Sequence, residues 1–118
     1  MNTISREELK TKMDRGEDFV LVDTMAEMYY RHSHLPGAIN LPVNEVSERA
    51  SELLPDKDAD IVVYCIDPPC EASDKAAREL AAMGYRNVRH YEGGKKDWID
   101  HGLPAQGRHF ERTKERSQ

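Results

Sequence analysis

The sequence has little cysteine, with two residues in a chain of 118. Small secreted domains that depend on disulfides contain many more, so a disulfide scaffold is excluded. No apolar run approaches the roughly 20 residues that cross a bilayer. The opening residues, MNTISREELK, lack the apolar segment of a signal peptide. We therefore expect a cytoplasmic protein with no membrane partner.

Basic residues are fewer than acidic ones, and the formal net charge is -5. Lys and Arg are scattered rather than arranged in a stripe with aromatic side chains, so no nucleic-acid partner is expected. Metal-binding spacings such as C-x-x-C or H-x-x-x-H are also missing. We therefore expect no metal site at His32 and His34. His34 is interpreted as shaping the turn before Pro36. No cofactor is expected.

Two continuous apolar runs are present, FVLVD at Phe19 to Asp23 and DIVVYC at Asp60 to Cys65. Such runs are typical of strands that are buried on both faces. AINL at 38–41 and VRHY at 88–91 are weaker strand candidates. Helical patterns alternate with the strands, and the first begins at a capping box formed by Ser5 and Glu8.

This alternation predicts an α/β fold. We expect a three-layer sandwich around a central parallel sheet of about five strands. One domain over residues 1–107 would be followed by a charged, disordered tail over residues 108–118. Trp98 is expected in the core. Lys95 and Lys96 follow the Gly93–Gly94 turn and are interpreted as a solvated pair.

Cys65 ends the predicted central strand and Asp23 ends another. The carboxyl ends of parallel strands lie at one edge of the sheet, where ligands bind. Ser73 is the predicted N-cap of the next helix, whose positive end would favour a nucleophilic Cys65 thiolate. A cysteine at a strand end is also often a small core residue. Position alone leaves both interpretations open.

Four segments resemble single-domain rhodanese-like proteins. They are LVDTMAEMYYRHSHLPGAINLP (21–42), IVVYC (61–65), AARELAAMGYRNV (76–88) and EGGKKDWIDHGLP (92–104). The resemblance implies a rhodanese-like fold and a sulfurtransferase. It makes Cys65 the catalytic residue, which accepts a sulfane sulfur as a persulfide and passes it to a thiol acceptor. The donor would be a small molecule, and the acceptor a small molecule or a protein.

The same resemblance implies supporting roles for Asp23 and His34. It also implies a substrate-binding loop, which comprises Ile66, Asp67, Glu71, Ala72 and Ser73.

The loop CIDPPCEAS departs from the usual short loop of this family, which is rich in arginine. Here arginine is missing, and Asp67 and Glu71 add negative charge, so thiosulfate is expected to be a poor donor. Without a loop arginine to grip the oxygens, phosphatase chemistry is not expected. Cys70 is a candidate resolving thiol, as in a variant of the family with a second cysteine. The alternative function is a non-catalytic rhodanese-like module that binds a partner or senses redox state.

Overall fold

A computed structural model describes residues 2–66 and 71–108. Its strands are β1 (Val20–Asp23), β2 (Ile39–Asn40), β3 (Asp60–Tyr64) and β4 (Asn87–His90). They pair in parallel in the order β2-β1-β3-β4. The predicted parallel sheet of about five strands is thus confirmed, with four strands in the described residues. Residues 2–4 run beside β4 but form a single bridge, between Thr3 and His90.

Among the described residues, five α-helices flank the sheet. They are α1 (Arg6–Asp14), α2 (Glu27–His32), α3 (Val46–Leu53), α4 (Glu71–Ala82) and α5 (Gly94–Asp100). The capping box at the start of α1 is confirmed, because the Ser5 hydroxyl accepts the Glu8 N–H at 3.1 Å. The Glu8 carboxylate in turn accepts the Ser5 N–H at 3.4 Å. Two of the N–H groups at this helix end are thereby satisfied.

Both faces of the sheet are covered, which explains why the two central strands, β1 and β3, are largely apolar. Along β3, Ile61 and Val63 pack with apolar residues of α3 and α4. Val62 and Tyr64 point to the opposite face and pack with Leu9 of α1 and the buried Trp98 of α5. The expected three layers are therefore present. Tyr64, the residue before Cys65, lies on the face that α1 and α5 cover.

The predicted helix start at Ser73 is wrong. Helix α4 already begins at Glu71, so Ser73 lies in its first turn. The serine is fully buried, and its hydroxyl lies 2.5 Å from Nε2 of His90. A tertiary hydrogen bond to β4 thus takes the place of the capping bond that the sequence suggested.

In the part of the chain that the structure describes, no helix is long and apolar enough to cross a membrane. Of the predicted tail, residues 109–118 lie outside the described residues.

Candidate active site

Cys65 lies directly after β3, at the carboxyl edge of the sheet, and is 5% exposed. Its carbonyl oxygen accepts the Lys95 N–H at 2.8 Å, and the Ile66 carbonyl accepts the Lys96 N–H at 2.8 Å. Cys65 is disulfide-bonded. The predicted loop residue Asp67 and the predicted resolving thiol Cys70 lie outside the described residues. Helix α5 thus anchors the start of the loop through its backbone.

Gly94 permits this contact between α5 and the loop. Its φ is +72°, a conformation that other residues rarely adopt. A Cβ atom there would lie 2.6 Å from the Ile66 carbonyl oxygen and 2.9 Å from that of Cys65. Only a glycine lets the backbone of α5 approach Cys65 so closely.

Asp23 ends β1 and lies opposite Tyr64 in the register with β3. Its carboxylate is fully buried and accepts the Tyr64 hydroxyl at 3.0 Å and the Met25 N–H at 2.9 Å. Nζ of Lys95 lies 3.5 Å from the same carboxylate and donates to the Tyr29 carbonyl at 3.2 Å. We call Asp23, Tyr64 and Lys95 the Asp23 cluster. It joins β1, β3 and α5 beside Cys65.

Burial shifts the pKa of two members of this cluster, Lys95 and Tyr64. Burial lowers the pKa of Lys95, and the charge of Asp23 opposes that shift. Burial and the Asp23 charge both raise the pKa of Tyr64 well above its usual value, so its hydroxyl stays protonated and donates. The cluster therefore contains a donor that is neutral at ordinary pH and a buried lysine next to a carboxylate.

The interpretation of Lys95 and Lys96 as a solvated pair is wrong for the first of them. Lys95 is buried, and its side chain is 7% exposed. The start of α5 packs against Cys65, and Nζ of Lys95 reaches the Tyr29 carbonyl of α2. Lys96 is 59% exposed and pairs with Asp100 at 2.6 Å. Two neighbouring lysines thus occupy opposite environments.

Helix α4 forms the other side of the site. Glu71, at its start, is exposed, while Ala72 is half-buried and Ser73 fully buried. The bond from Ser73 to His90 ties the helix to β4. Burial lowers the pKa of His90, and the charges of Glu92 and Asp74 oppose this shift.

His34 lies on the turn that follows α2, next to Leu35. Its ring stacks on Tyr30 with 3.9 Å between centroids, and its Nδ1 lies 2.7 Å from the Tyr30 carbonyl, which requires a proton on Nδ1. Its backbone exchanges two 2.9 Å hydrogen bonds with Gln106. The next residue, Leu35, donates its N–H to the Tyr64 hydroxyl at 3.0 Å. His34 therefore lies on the turn that contacts the Asp23 cluster.

Sequence reasoning missed the roles of Gly94, Tyr64 and His90 and the burial of Lys95. The turn at Gly93–Gly94 was visible, and its place after a strand could have indicated a close backbone contact. The spacing of residues gave no signal for the pairing of Lys95 with Asp23, because the two are 72 positions apart.

Comparison with known proteins decides the family. The sequence model of the rhodanese-like domain family matches residues 5–101 of this chain. The chain belongs to the rhodanese-like domain family. The sulfurtransferase of Allochromatium vinosum is 34% identical over 104 residues, which cover 88% of this chain and 94% of that protein. The Escherichia coli thiosulfate sulfurtransferase PspE is 38% identical over 76 residues, or 64% of this chain and 70% of that protein.

The fold agrees with this assignment. The NMR structure of the rhodanese-like domain of the Anabaena protein Alr3790 superposes with a TM-score of 0.84 and 28% identity. The superposition covers 95% of this chain and 83% of that domain. The chain spans only 44% and 49% of the length of two other curated relatives that it matches.

Proposed function

We propose that this rhodanese-like protein is a sulfurtransferase that moves a sulfane sulfur through a persulfide on Cys65 to a thiol acceptor. The observation that carries the proposal is the placement of Cys65. It follows a central strand at the carboxyl edge of the sheet, where α5 binds its carbonyl and the Asp23 cluster lies beside it. Relatives that are named sulfurtransferases support the same general activity.

The reaction requires Cys65 in its reduced form. The Cys65 thiolate attacks the sulfane sulfur of the donor, and the bond from that sulfur to the rest of the donor breaks. The donor's remainder leaves as an anion with the bonding electron pair, and Cys65 becomes a persulfide. A thiolate acceptor then attacks the terminal sulfur, takes it, and releases the Cys65 thiolate. A reducing compartment such as the cytoplasm suits this cycle, because it keeps the thiol available.

Cys70 is proposed as a resolving thiol. Its thiolate would attack the inner sulfur of the Cys65 persulfide, release hydrosulfide and leave a Cys65–Cys70 disulfide. A dithiol reductant would then restore both thiols. The disulfide bond of Cys65 in the structure is compatible with such an oxidised state.

Thiosulfate is proposed as a poor donor, and a neutral or less charged persulfide as a better one. Exposed Glu71 opens α4 beside the loop, and a dianion approaching Cys65 would meet its negative charge. PspE carries the name of a thiosulfate sulfurtransferase, so this expectation separates the protein from that relative. Kinetics with both donors in wild type and Glu71→Gln test it. Thiosulfate use as efficient as that of the neutral donor would contradict it.

Intact-protein mass spectrometry after exposure of the reduced protein to several sulfane-sulfur donors tests the main proposal. Wild type should gain one sulfur atom, and Cys65→Ser should gain none. Cys70→Ser is the matched control, since it should still load sulfur, hold the persulfide longer and form no internal disulfide. Loading that persists in Cys65→Ser would overturn the assignment of Cys65.

The second candidate is a redox-sensing or partner-binding module without catalysis. The disulfide bond of Cys65 is the observation that favours it. In that case no donor would load sulfur on the reduced protein, while oxidation and reduction of Cys65 would remain reversible. The same mass spectra, recorded with and without reductant, distinguish the two functions.

A further inference from the structure

Lys95 carries a buried ammonium group and binds the backbone of the proposed nucleophile. Its own N–H binds the Cys65 carbonyl at 2.8 Å, and its Nζ lies 3.5 Å from the Asp23 carboxylate. A lysine is almost never fully buried without a partner, since removal of its charge from water is costly. The sulfur-transfer steps described above do not use this group.

The charge of Asp23 explains what Lys95 can contribute. The carboxylate is 0% exposed and bonds to Tyr64, which immediately precedes Cys65. A buried charge is poorly screened by salt, so an uncompensated carboxylate here would repel any anion that approaches Cys65. The ammonium group of Lys95 is the cation paired with it.

The other charged groups around the loop do not supply this compensation. Glu71 and Asp74 on α4 are negative, as is Glu92 after β4. Lys96 points outward and pairs with Asp100. Among the side chains described around the start of the loop, Lys95 is therefore the buried positive charge.

We propose that Lys95 is a specificity-determining residue that cancels the buried charge of Asp23 and so lets a persulfide donor of low negative charge approach Cys65. The sulfur donor in this statement rests on the proposed function. The effect on Cys65 itself can be measured without any sulfur transfer. Without Lys95, the buried charge of Asp23 would add to the exposed negative charge of Glu71 at the start of α4.

This role predicts that substitutions of Lys95 and of Asp23 change the charge near Cys65 in opposite directions. Lys95→Met leaves the Asp23 carboxylate uncompensated, so the site becomes more negative. Asp23→Asn leaves the ammonium group uncompensated, so the site becomes more positive. If the contact between Lys95 and Asp23 were only structural, both variants would loosen the site. The change near Cys65 would then have the same sign in both.

The test compares alkylation of reduced Cys65 by anionic iodoacetate and neutral iodoacetamide, in a Cys70→Ser background with peptide mapping. Both reagents consume the same thiolate, so the ratio of their rates reports the local charge. Removal of a unit charge several ångströms away should change the ratio by about fivefold. The iodoacetate-to-iodoacetamide ratio should fall by that factor in Lys95→Met and rise comparably in Asp23→Asn. Lys96→Met, the matched control on the exposed neighbour, should leave it unchanged.

Equal ratios in wild type and Lys95→Met would overturn the proposal, as would a change of the same sign in both single variants. Lys95→Gln, which keeps an N–H donor but loses the charge, replaces Lys95→Met if the latter does not fold. If neither variant folds, Lys95 serves folding alone and the specificity role is wrong. A protein that loads no sulfur but shows the opposite shifts would refute the sulfurtransferase and leave the role of Lys95 intact.

Discussion

Two aspartates are built into similar clusters in different parts of the molecule. Asp23 accepts a tyrosine hydroxyl, from Tyr64, and pairs with Lys95. Asp97 accepts the Tyr91 hydroxyl at 2.6 Å and pairs with Arg6 through two bonds of 3.0 and 3.1 Å. We call the second set the Asp97 cluster.

The two clusters differ in burial. The Asp23 side chain is 0% exposed and that of Lys95 7%, whereas Asp97 and Arg6 are 27% and 26% exposed. The Asp97 cluster ties α1 to α5 at the surface, where water screens the charges. The Asp23 cluster ties β1, β3 and α5 together beside Cys65, where the charges are buried and water does not screen them. An aspartate, a tyrosine and a basic residue thus hold two helices together in the Asp97 cluster. The same three kinds of residue lie at the candidate active site in the Asp23 cluster.

Helix α5 carries one member of each cluster, so the largest expected effect comes from displacing its start. Gly94→Ala would place a Cβ 2.6 Å from the Ile66 carbonyl in a strained backbone conformation. We expect a loss of about 3 kcal/mol in the free energy of unfolding, measured by urea denaturation. Loss of sulfur loading should accompany it, because the anchor of the loop moves.

Gly102→Ala is the matched control for this change. Gly102 has a similar φ of +74°, but a Cβ there meets nothing within 4 Å. It should cost only about 1 kcal/mol, from the backbone conformation alone. Equal losses from the two substitutions would show that the contact with Cys65 and Ile66 is unimportant.

The comparison of Asp23→Asn with Asp97→Asn tests the difference in burial directly. Asp23→Asn leaves the buried ammonium group of Lys95 without its counter-charge, which should cost about 3 kcal/mol. Asp97→Asn weakens hydrogen bonds of a partly exposed group and should cost about 1 kcal/mol. Thermal or urea denaturation at neutral pH measures both. A larger loss from Asp97→Asn would reverse our ranking of the clusters.

The smallest expected effect is the acid dependence of the Asp97 cluster. Burial alone would raise the pKa of Asp97, but hydrogen bonds from Tyr91 and Arg6 and the charge of Arg6 outweigh it and lower the pKa. A carboxyl whose pKa is lowered by folding stabilises the protein above its unfolded pKa of about 3.9. That stabilisation is lost as the pH falls through the folded value.

Urea midpoints measured from pH 6 to pH 2.5 check this expectation. Wild type should lose stability below about pH 4 more steeply than Asp97→Asn, which lacks the titrating group. Parallel curves for the two proteins would show that other carboxyl groups account for the acid sensitivity.

Local features of the sequence predicted much of the framework. Continuous apolar runs predicted β1 and β3, because strands covered on both faces need apolar side chains throughout. The Ser5–Glu8 capping box predicted the start of α1, since its bonds join residues three apart. The motif order around Cys65 predicted the family, and the ends of the two apolar runs predicted that Asp23 and Cys65 lie at the same edge of the sheet.

Only the tertiary structure decided the environment of individual side chains near Cys65. Ser73 bonds His90 from the first turn of α4 instead of capping it, and Lys95 is buried against Asp23 while Lys96 lies in solvent. The sequence by itself determined which elements form and in what order, because those depend on neighbours along the chain. The burial of Lys95 rather than Lys96 depends on the packing of α5 against a strand that is distant in sequence. No local pattern encodes that contact.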